Sequence, residues 1–301
     1  MQRLDVPVAG GTLATFRLGD HDAEPVMAVH GITANSHAWL AVARALEGRS
    51  ALLAPDLRGR GASSALPPPY GMAAYVRDML AVLDHCGIGR AVLVGHSLGA
   101  FAVARFAADH PERVRAAVLV DGGLTLPGIE DADPQVVLSA VLGPALTRLE
   151  LTFDAPEAYH DWWRAHPAFA WADVADADLV AYANHDLGGH PPRLRSVVAA
   201  EAVRTDAGEM FEIGKPAHRL SVPVEMLRAP RGLQNDPTPL IPAALAEAWV
   251  AGAPEQRSVR EVPDVNHYTI VMGAAGSRAV AEAIVRALQS PAGDPGLRSA
   301  R

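Results

Sequence analysis

The chain has 301 residues, half of them hydrophobic, and a formal net charge of −8 with a single lysine, Lys215. That length suits one large α/β domain or a core with an insertion, with enough apolar residues to fill a sizeable core. An acidic chain without a basic patch argues against nucleic-acid partners, and no run approaches the roughly 18 apolar residues of a membrane span. The opening Met1-Gln2-Arg3-Leu4-Asp5 lacks the apolar stretch of a signal peptide, so a soluble, cytoplasmic protein with no membrane partner is expected. Cys86 is the one cysteine. It can form no internal disulfide or cysteine zinc site and reads as a buried structural thiol.

In chain order, residues 12–18 alternate as a strand does. Residues 26–29 form a short buried strand ending at His30. A helix is predicted over 39–46 and a strand over 51–54, stopped by Pro55. Residues 70–85 have helical spacing, with Met72, Tyr75, Val76, Met79, Leu80 and Leu83 on one side. The apolar run 91–94 is a strand. Gly95-His96-Ser97-Leu98-Gly99 follows it directly, and a helix-like run continues to His110-Pro111. Another strand, 116–120, ends at Asp121.

The rhythm then breaks. Residues 122–221 show no clear buried strand, only broken helical patterns. They hold Phe153, Tyr159, Trp162, Trp163, Phe169, Trp171, Tyr182 and Phe211, half of the chain's aromatics. Strand–helix alternation resumes with a strand at 222–227, a helix at 243–250, a strand at 258–262 and a helix at 277–288. Repeated strand–helix units predict a mostly parallel, doubly wound sheet with helices on both faces. Residues 1–121 and 222–290 are therefore expected to form the core and 122–221 a helical cap over the strands' C-terminal ends. The Pro-, Gly- and Ser-rich residues 291–301 are expected to form a frayed tail.

The pentapeptide at Ser97 carries the chemistry. G-x-S-x-G between a strand and a helix is the setting of a nucleophile elbow. Its glycines permit a sharp turn that strains the serine backbone and exposes its Oγ. The turn also puts the Leu98 N–H at a helix start, where negative charge is stabilised.

With this elbow, His30-Gly31-Ile32 after a strand, the turn Asp56-Leu57-Arg58-Gly59-Arg60-Gly61-Ala62-Ser63 and the late Asn266-His267-Tyr268, the chain resembles the α/β-hydrolase superfamily, in its capped, serine esterase- or lipase-like form. The four blocks stand in the family's order over nearly the whole length. The resemblance implies an α/β-hydrolase fold with the cap inserted after the sixth strand. It makes Ser97 the nucleophile and His267 the base that takes its proton. The backbone N–H groups of Ile32 and Leu98 become the oxyanion hole. His30 and His96 become structural neighbours of the turn, and Asp56 and Arg58 are expected to make local hydrogen bonds.

The acid is less plain. Where many relatives carry it, in the turn after the strand that follows the cap, this chain has Gly232, with Asp236 four residues later. Other relatives place it after the strand before the cap, where Asp121 sits. The departure at Gly232 favours Asp121, with Asp236 as the alternative. Among the aromatics, Trp39, Trp162 and Trp163 are candidates for the substrate pocket, against the simpler reading that a cap needs its own core. The expected activity is cleavage of a carboxylic ester, lactone or thioester of a small, partly apolar substrate, with no metal or cofactor. Serine in the elbow argues against epoxide hydrolases and haloalkane dehalogenases, which use aspartate there. An acyltransferase, perhydrolase, lyase, C–C bond hydrolase or non-catalytic small-molecule receptor on this fold remains open.

Overall fold

The computed structural model describes residues 1–20, 22–125, 143, 146–170, 172–209 and 212–290. The expected tail 291–301, and Trp171 and Phe211 of the aromatic set, lie outside them.

The strands are β1 Gln2–Val8, β2 Gly11–Gly19, β3 Pro25–Val29, β4 Ala51–Pro55, β5 Ala91–His96, β6 Val114–Val120, β7 Leu187–Gly188, β8 Arg195–Ser196, β9 Val224–Arg228 and β10 Arg257–Glu261. Eight of them form one sheet in the order β1-β2-β4-β3-β5-β6-β9-β10, and β7 pairs with β8 separately. The β1–β2 hairpin and the β2–β4 pair are antiparallel; β4, β3, β5, β6, β9 and β10 run parallel. Every residue of β4 and β5 is buried. A strand covered by helices on both faces has no solvent side to mark with polar residues, so it reads as a continuous apolar run.

Among the described residues, the helices include α1 Leu40–Ala45, α2 Met72–His85, α3 Leu98–Asp109, α4 Pro156–Ala165, α5 Asp176–Asp186, α6 Ala200–Gly208, α7 Ala243–Ala251, α8 Thr269–Met272 and α9 Ala274–Gln289. Buried residues of α2, α3 and α7 pack on one face of the sheet, with Tyr75, Phe106 and Trp249 in that core. Residues of α1, α8 and α9 fill the other, which also takes in Trp39, Tyr159, Trp163 and Tyr182. The sheet is thus doubly wound, as the alternation predicts.

Between β6 and β9 lie α4, α5 and α6 with the short β7–β8 ladder, a mostly helical insertion after the sixth strand. Helix α5 packs on the 3-10 turns Ser36–Trp39 and Gly61–Ser63. Those turns follow the C-terminal ends of β3 and β4, and the Asn35 side-chain amide donates to the Tyr182 carbonyl at 3.0 Å. The insertion therefore sits at the end of the sheet where β3 and β5 deliver their loops.

Several local expectations change. Strand β1 has no counterpart in the sequence reading: it is a sheet edge with one buried side chain, Val6, and it contains Pro7. An edge strand tolerates both, and so lacks the apolar signal of a central one. The helix expected over 39–46 begins with a 3-10 turn whose N-cap, Asn35, accepts from the His37 N–H at 2.9 Å. Cys86 is half-buried rather than buried. No helix among the described residues is long and apolar enough to cross a membrane.

Candidate active site

Ser97 sits between β5 and α3 with φ +53° and ψ −120°, a backbone conformation that side-chain-bearing residues rarely adopt. Packing on all sides holds it there. The Ser97 N–H donates to the Val120 carbonyl at 3.0 Å. A Cβ at Gly95 would collide with the Gly99 carbonyl, one at Gly99 with the Val29 carbonyl, and one at Gly122 would lie 2.5 Å from the Ser97 carbonyl oxygen. Glycine at 95 and 99 is thus required by close backbone approach. The turn leaves Ser97 half-buried and starts α3 at Leu98.

Asp121 follows β6 and is fully buried, with φ +44°. Its N–H donates to the Leu227 carbonyl at 2.7 Å, and its Oδ1 accepts the Ala229 N–H at 3.0 Å, so the end of β9 fixes the carboxylate. Its Oδ2 accepts from His267 Nδ1 at 2.6 Å. A proton on Nδ1 leaves Nε2 as the basic nitrogen of His267. Two neighbours hold this histidine. The His96 Nε2–H donates to the His267 carbonyl at 2.8 Å. Asn266 accepts the N–H groups of Tyr268 and Thr269 at 3.0 Å each, capping α8. Burial, with His267 adjacent, holds His96 well below the usual histidine range and keeps it neutral.

Asp236 serves its own loop instead. Its Oδ1 accepts the Thr238 N–H at 3.2 Å and its carbonyl accepts the Gly232 N–H at 3.0 Å. Of the two candidate acids, the structure brings Asp121 to His267.

Ser97, His267, His96 and Ile32 line one cavity of about 30 Å³ together with Gly31, Thr33, Ala34, Ala38, Tyr182, Leu233, Tyr268, Val271 and Met272. No Asp, Glu, Lys or Arg lines it among the described residues. The loop after β3 abuts the serine: a Cβ at Gly31 would lie 3.2 Å from Ser97 Cβ and 3.7 Å from its Oγ. The Gly31 carbonyl accepts from His30 Nδ1 at 2.8 Å and from the Ala34 N–H at 3.2 Å. In a trans peptide the next N–H points opposite to the carbonyl. Holding Gly31 O therefore aims the Ile32 N–H. His30 Nε2 accepts the Leu57 N–H at 3.0 Å. Burial lowers its pKa to about 4, so it stays a neutral ring that donates at one nitrogen and accepts at the other.

The expected pocket tryptophans lie elsewhere. Trp39 is fully buried in the core beside Ala38. Trp163 stands edge-on to Tyr182 and Phe169, with centroids 5.2 and 5.7 Å away, and Trp162 stands edge-on to Trp163 at 5.0 Å. None of the three lines the cavity; Trp163 backs Tyr182 and Tyr268, which do, and Trp162 stands behind Trp163. Large rings gain most from full burial, and nothing in residue spacing separates a wall from its backing. Nothing in the sequence marks Leu233, Val271 and Met272 as cavity walls, although the last two stand four and five residues after His267. In the turn after β4, Asp56 accepts the Ser36 and Ala62 N–H groups at 2.8 Å each and His185 Nε2 at 2.6 Å. Arg58 pairs with Asp78 through two bonds of 2.7 Å. Their bonds are structural, as expected, but reach well beyond the turn.

A family model described as alpha/beta hydrolase fold matches residues 24–154. RutD, a candidate carbamate hydrolase of Klebsiella pneumoniae (strain 342), is 45% identical over 89 residues, covering 29% of this chain and 34% of RutD. Lipase LipV of Mycobacterium tuberculosis is 33% identical over 175 residues, covering 57% of this chain and 64% of LipV. The chain thus spans about a third of the first relative's length and under two thirds of the second's. The crystal structure of E-2-(acetamidomethylene)succinate hydrolase superposes over 96% of this chain and 99% of its own, with a TM-score of 0.76 and 21% identity. A likeness at that identity speaks for the fold alone.

Proposed function

We propose that this chain, which has the alpha/beta hydrolase fold, is a serine hydrolase that cleaves a carboxylic ester, lactone or thioester through an acyl-enzyme on Ser97. One observation carries the reading. A serine in a strained strand–helix turn and a histidine bonded to a buried carboxylate line the same small cavity.

In this reading, Ser97 Oγ attacks the carbonyl carbon as His267 Nε2 takes its proton. Asp121 holds the imidazole in the needed tautomer and stabilises the imidazolium. The oxyanion forms against the Ile32 and Leu98 N–H groups, whose dipoles are in place before charge develops. Collapse of the tetrahedral intermediate breaks the bond to the leaving oxygen or sulfur, which takes the proton from His267. Water then attacks the acyl-enzyme, gives a proton to His267 and releases the acid, and the proton returns to Ser97. The walls favour a small, uncharged, partly apolar substrate, because an ionised group would lose hydration there without a partner. Residues 122–221 act as the cap over a core of 1–121 and 222–290. In support, α5 and Tyr182 stand on the loops that form the site.

Mass spectrometry after a fluorophosphonate probe tests the reading. One covalent adduct on Ser97 is expected, absent from Ser97→Ala. A folded protein without an adduct would overturn it in favour of a receptor-like role. Profiling with p-nitrophenyl esters of increasing chain length, lactones and acyl thioesters then identifies the bond, and short-chain substrates should turn over fastest.

A further inference from the structure

The oxyanion loop begins with a glycine, so its own backbone does little to fix its shape. Contacts must impose it. Three successive carbonyls of the loop are each held by a buried side chain. His30 holds Gly31 O, as described. The Arg60 Nε–H donates to Ile32 O at 2.9 Å, and an Arg148 Nη2–H donates to Thr33 O at 3.0 Å.

The two arginines are built alike. Each is fully buried. Each pairs with one aspartate, one tyrosine hydroxyl and one carbonyl of the oxyanion loop, and Arg60 also donates to the Arg58 carbonyl at 3.1 Å. Arg60 pairs with Asp206 and donates to the Tyr75 hydroxyl at 2.6 Å, and that hydroxyl donates to Asp206 at 2.8 Å. Arg148 pairs with Asp186 and with the Tyr159 hydroxyl, which in turn bonds Asp186. Both aspartates, with Arg148 and Tyr159, come from the insertion after β6.

Buried ion pairs are a weak source of stability, because desolvating two charges cancels most of their attraction. Two such pairs meeting neighbouring carbonyls of one loop need another reason. We propose that Arg60 and Arg148 are positioning residues that hold the oxyanion loop in its catalytic shape and lock that shape to the insertion. Neither touches the reacting atoms; each acts through the peptides that follow the Ile32 N–H. Guanidinium suits the task because one planar fork serves a carboxylate, a phenol and a carbonyl together. The proposal rests on the serine-hydrolase reading.

The test replaces one whole cluster by apolar groups of similar size, Arg148→Met with Asp186→Leu and Tyr159→Phe, so that no buried charge is left unpaired. Thermal unfolding, the rate of fluorophosphonate labelling at Ser97 and the kcat and KM for p-nitrophenyl acetate are compared with wild type. The expected result is a melting temperature near wild type, with labelling rate and kcat down about 10- to 100-fold, the scale of a misplaced oxyanion donor. KM should change little, since the hold matters in the transition state. A folded variant with wild-type kcat, or with a raised KM alone, overturns the proposal. Should the triple variant lose its melting transition, Arg148→Lys carries the test. It keeps a cation beside Asp186 but loses the fork, so a fall in kcat supports the proposal and a wild-type kcat overturns it. Wild-type protein that takes no label at Ser97 would sink the hydrolase reading itself. Labelled wild type with unaffected variants would sink only the clamp.

Discussion

At the scale of single residues, the choice between Asp121 and Asp236 decides how His267 is oriented. Both carboxylate oxygens of Asp121 are engaged, Oδ1 by the Ala229 N–H and Oδ2 by His267 Nδ1. Asp121→Asn keeps the shape but can present an amide N–H to Nδ1. That favours the tautomer with its proton on Nε2, where a base needs a lone pair. The kcat for a p-nitrophenyl ester should fall by roughly 10²- to 10⁴-fold with the melting temperature little changed. Asp236→Asn keeps an oxygen to accept the Thr238 N–H and should leave kcat within about 2-fold. Steady-state kinetics of the two variants side by side check this, and the reverse ranking would move the acid to Asp236. Ser97 and its glycines were legible because the elbow is one unbroken word between a strand and a helix. His267 was legible through its order in the chain. The acid was legible only through a gap at Gly232, because 146 residues separate Asp121 from the histidine it meets, and no local pattern encodes that meeting.

At the scale of elements, the elbow depends on α3 lying against β3. Two effects compete at Gly99. Alanine is the better helix former by about 1 kcal/mol, but its Cβ would overlap the Val29 carbonyl and come within 2.8 Å of the His30 carbonyl. Those are backbone atoms of a central strand, not the end of a flexible side chain, so the collision wins. Gly99→Ala should therefore destabilise by about 1–3 kcal/mol or more, as overpacking does. Labelling of Ser97 should slow as α3 is pushed away. Thermal unfolding measures the first effect, and a melting temperature at or above wild type would refute the close packing of α3 on β3. The same packing explains which elements the sequence revealed. Strands covered on both faces, such as β4 and β5, announce themselves as apolar runs. The edge strand β1 does not, since solvent takes most of its side chains. The insertion was visible only as an interruption. Its helices are tied down by pairs such as Arg148 with Asp186 and Arg60 with Asp206, which have no period along the chain.

At the scale of the whole molecule, buried histidines make stability depend on pH. His30, His37 and His166 are each lowered to about 4, chiefly by burial, and His96 lies well below its ordinary range for the same first reason. All four are neutral when folded. As pH falls through about 6.5, the unfolded chain takes up protons that the folded chain refuses, so the equilibrium shifts toward unfolding. The stability is complete above about 6.5 and is lost progressively down to about 4, where the folded rings begin to protonate as well. One such ring costs at most about 3 kcal/mol over that window. Four approach the whole stability of an ordinary domain, about 5–15 kcal/mol. Two carboxylates modify the curve without reversing it. Burial raises Asp206, so it gains a proton earlier in the folded state and opposes the loss. Burial also works against Asp56, but His185 outweighs it and holds the group low, so its contribution is lost only below the ordinary aspartate range. The melting temperature should be nearly flat above pH 6.5 and fall steeply toward pH 4. A calorimetric series across that range checks it, and a flat profile down to pH 4 would refute neutral burial of these rings. Because His166 packs on Trp162, Trp163, Phe169 and Tyr268 and accepts the Ala168 N–H at 3.2 Å, His166→Asn removes one of the four protons and should make the slope shallower. That change in slope ties the acid loss of stability to proton uptake at a buried ring.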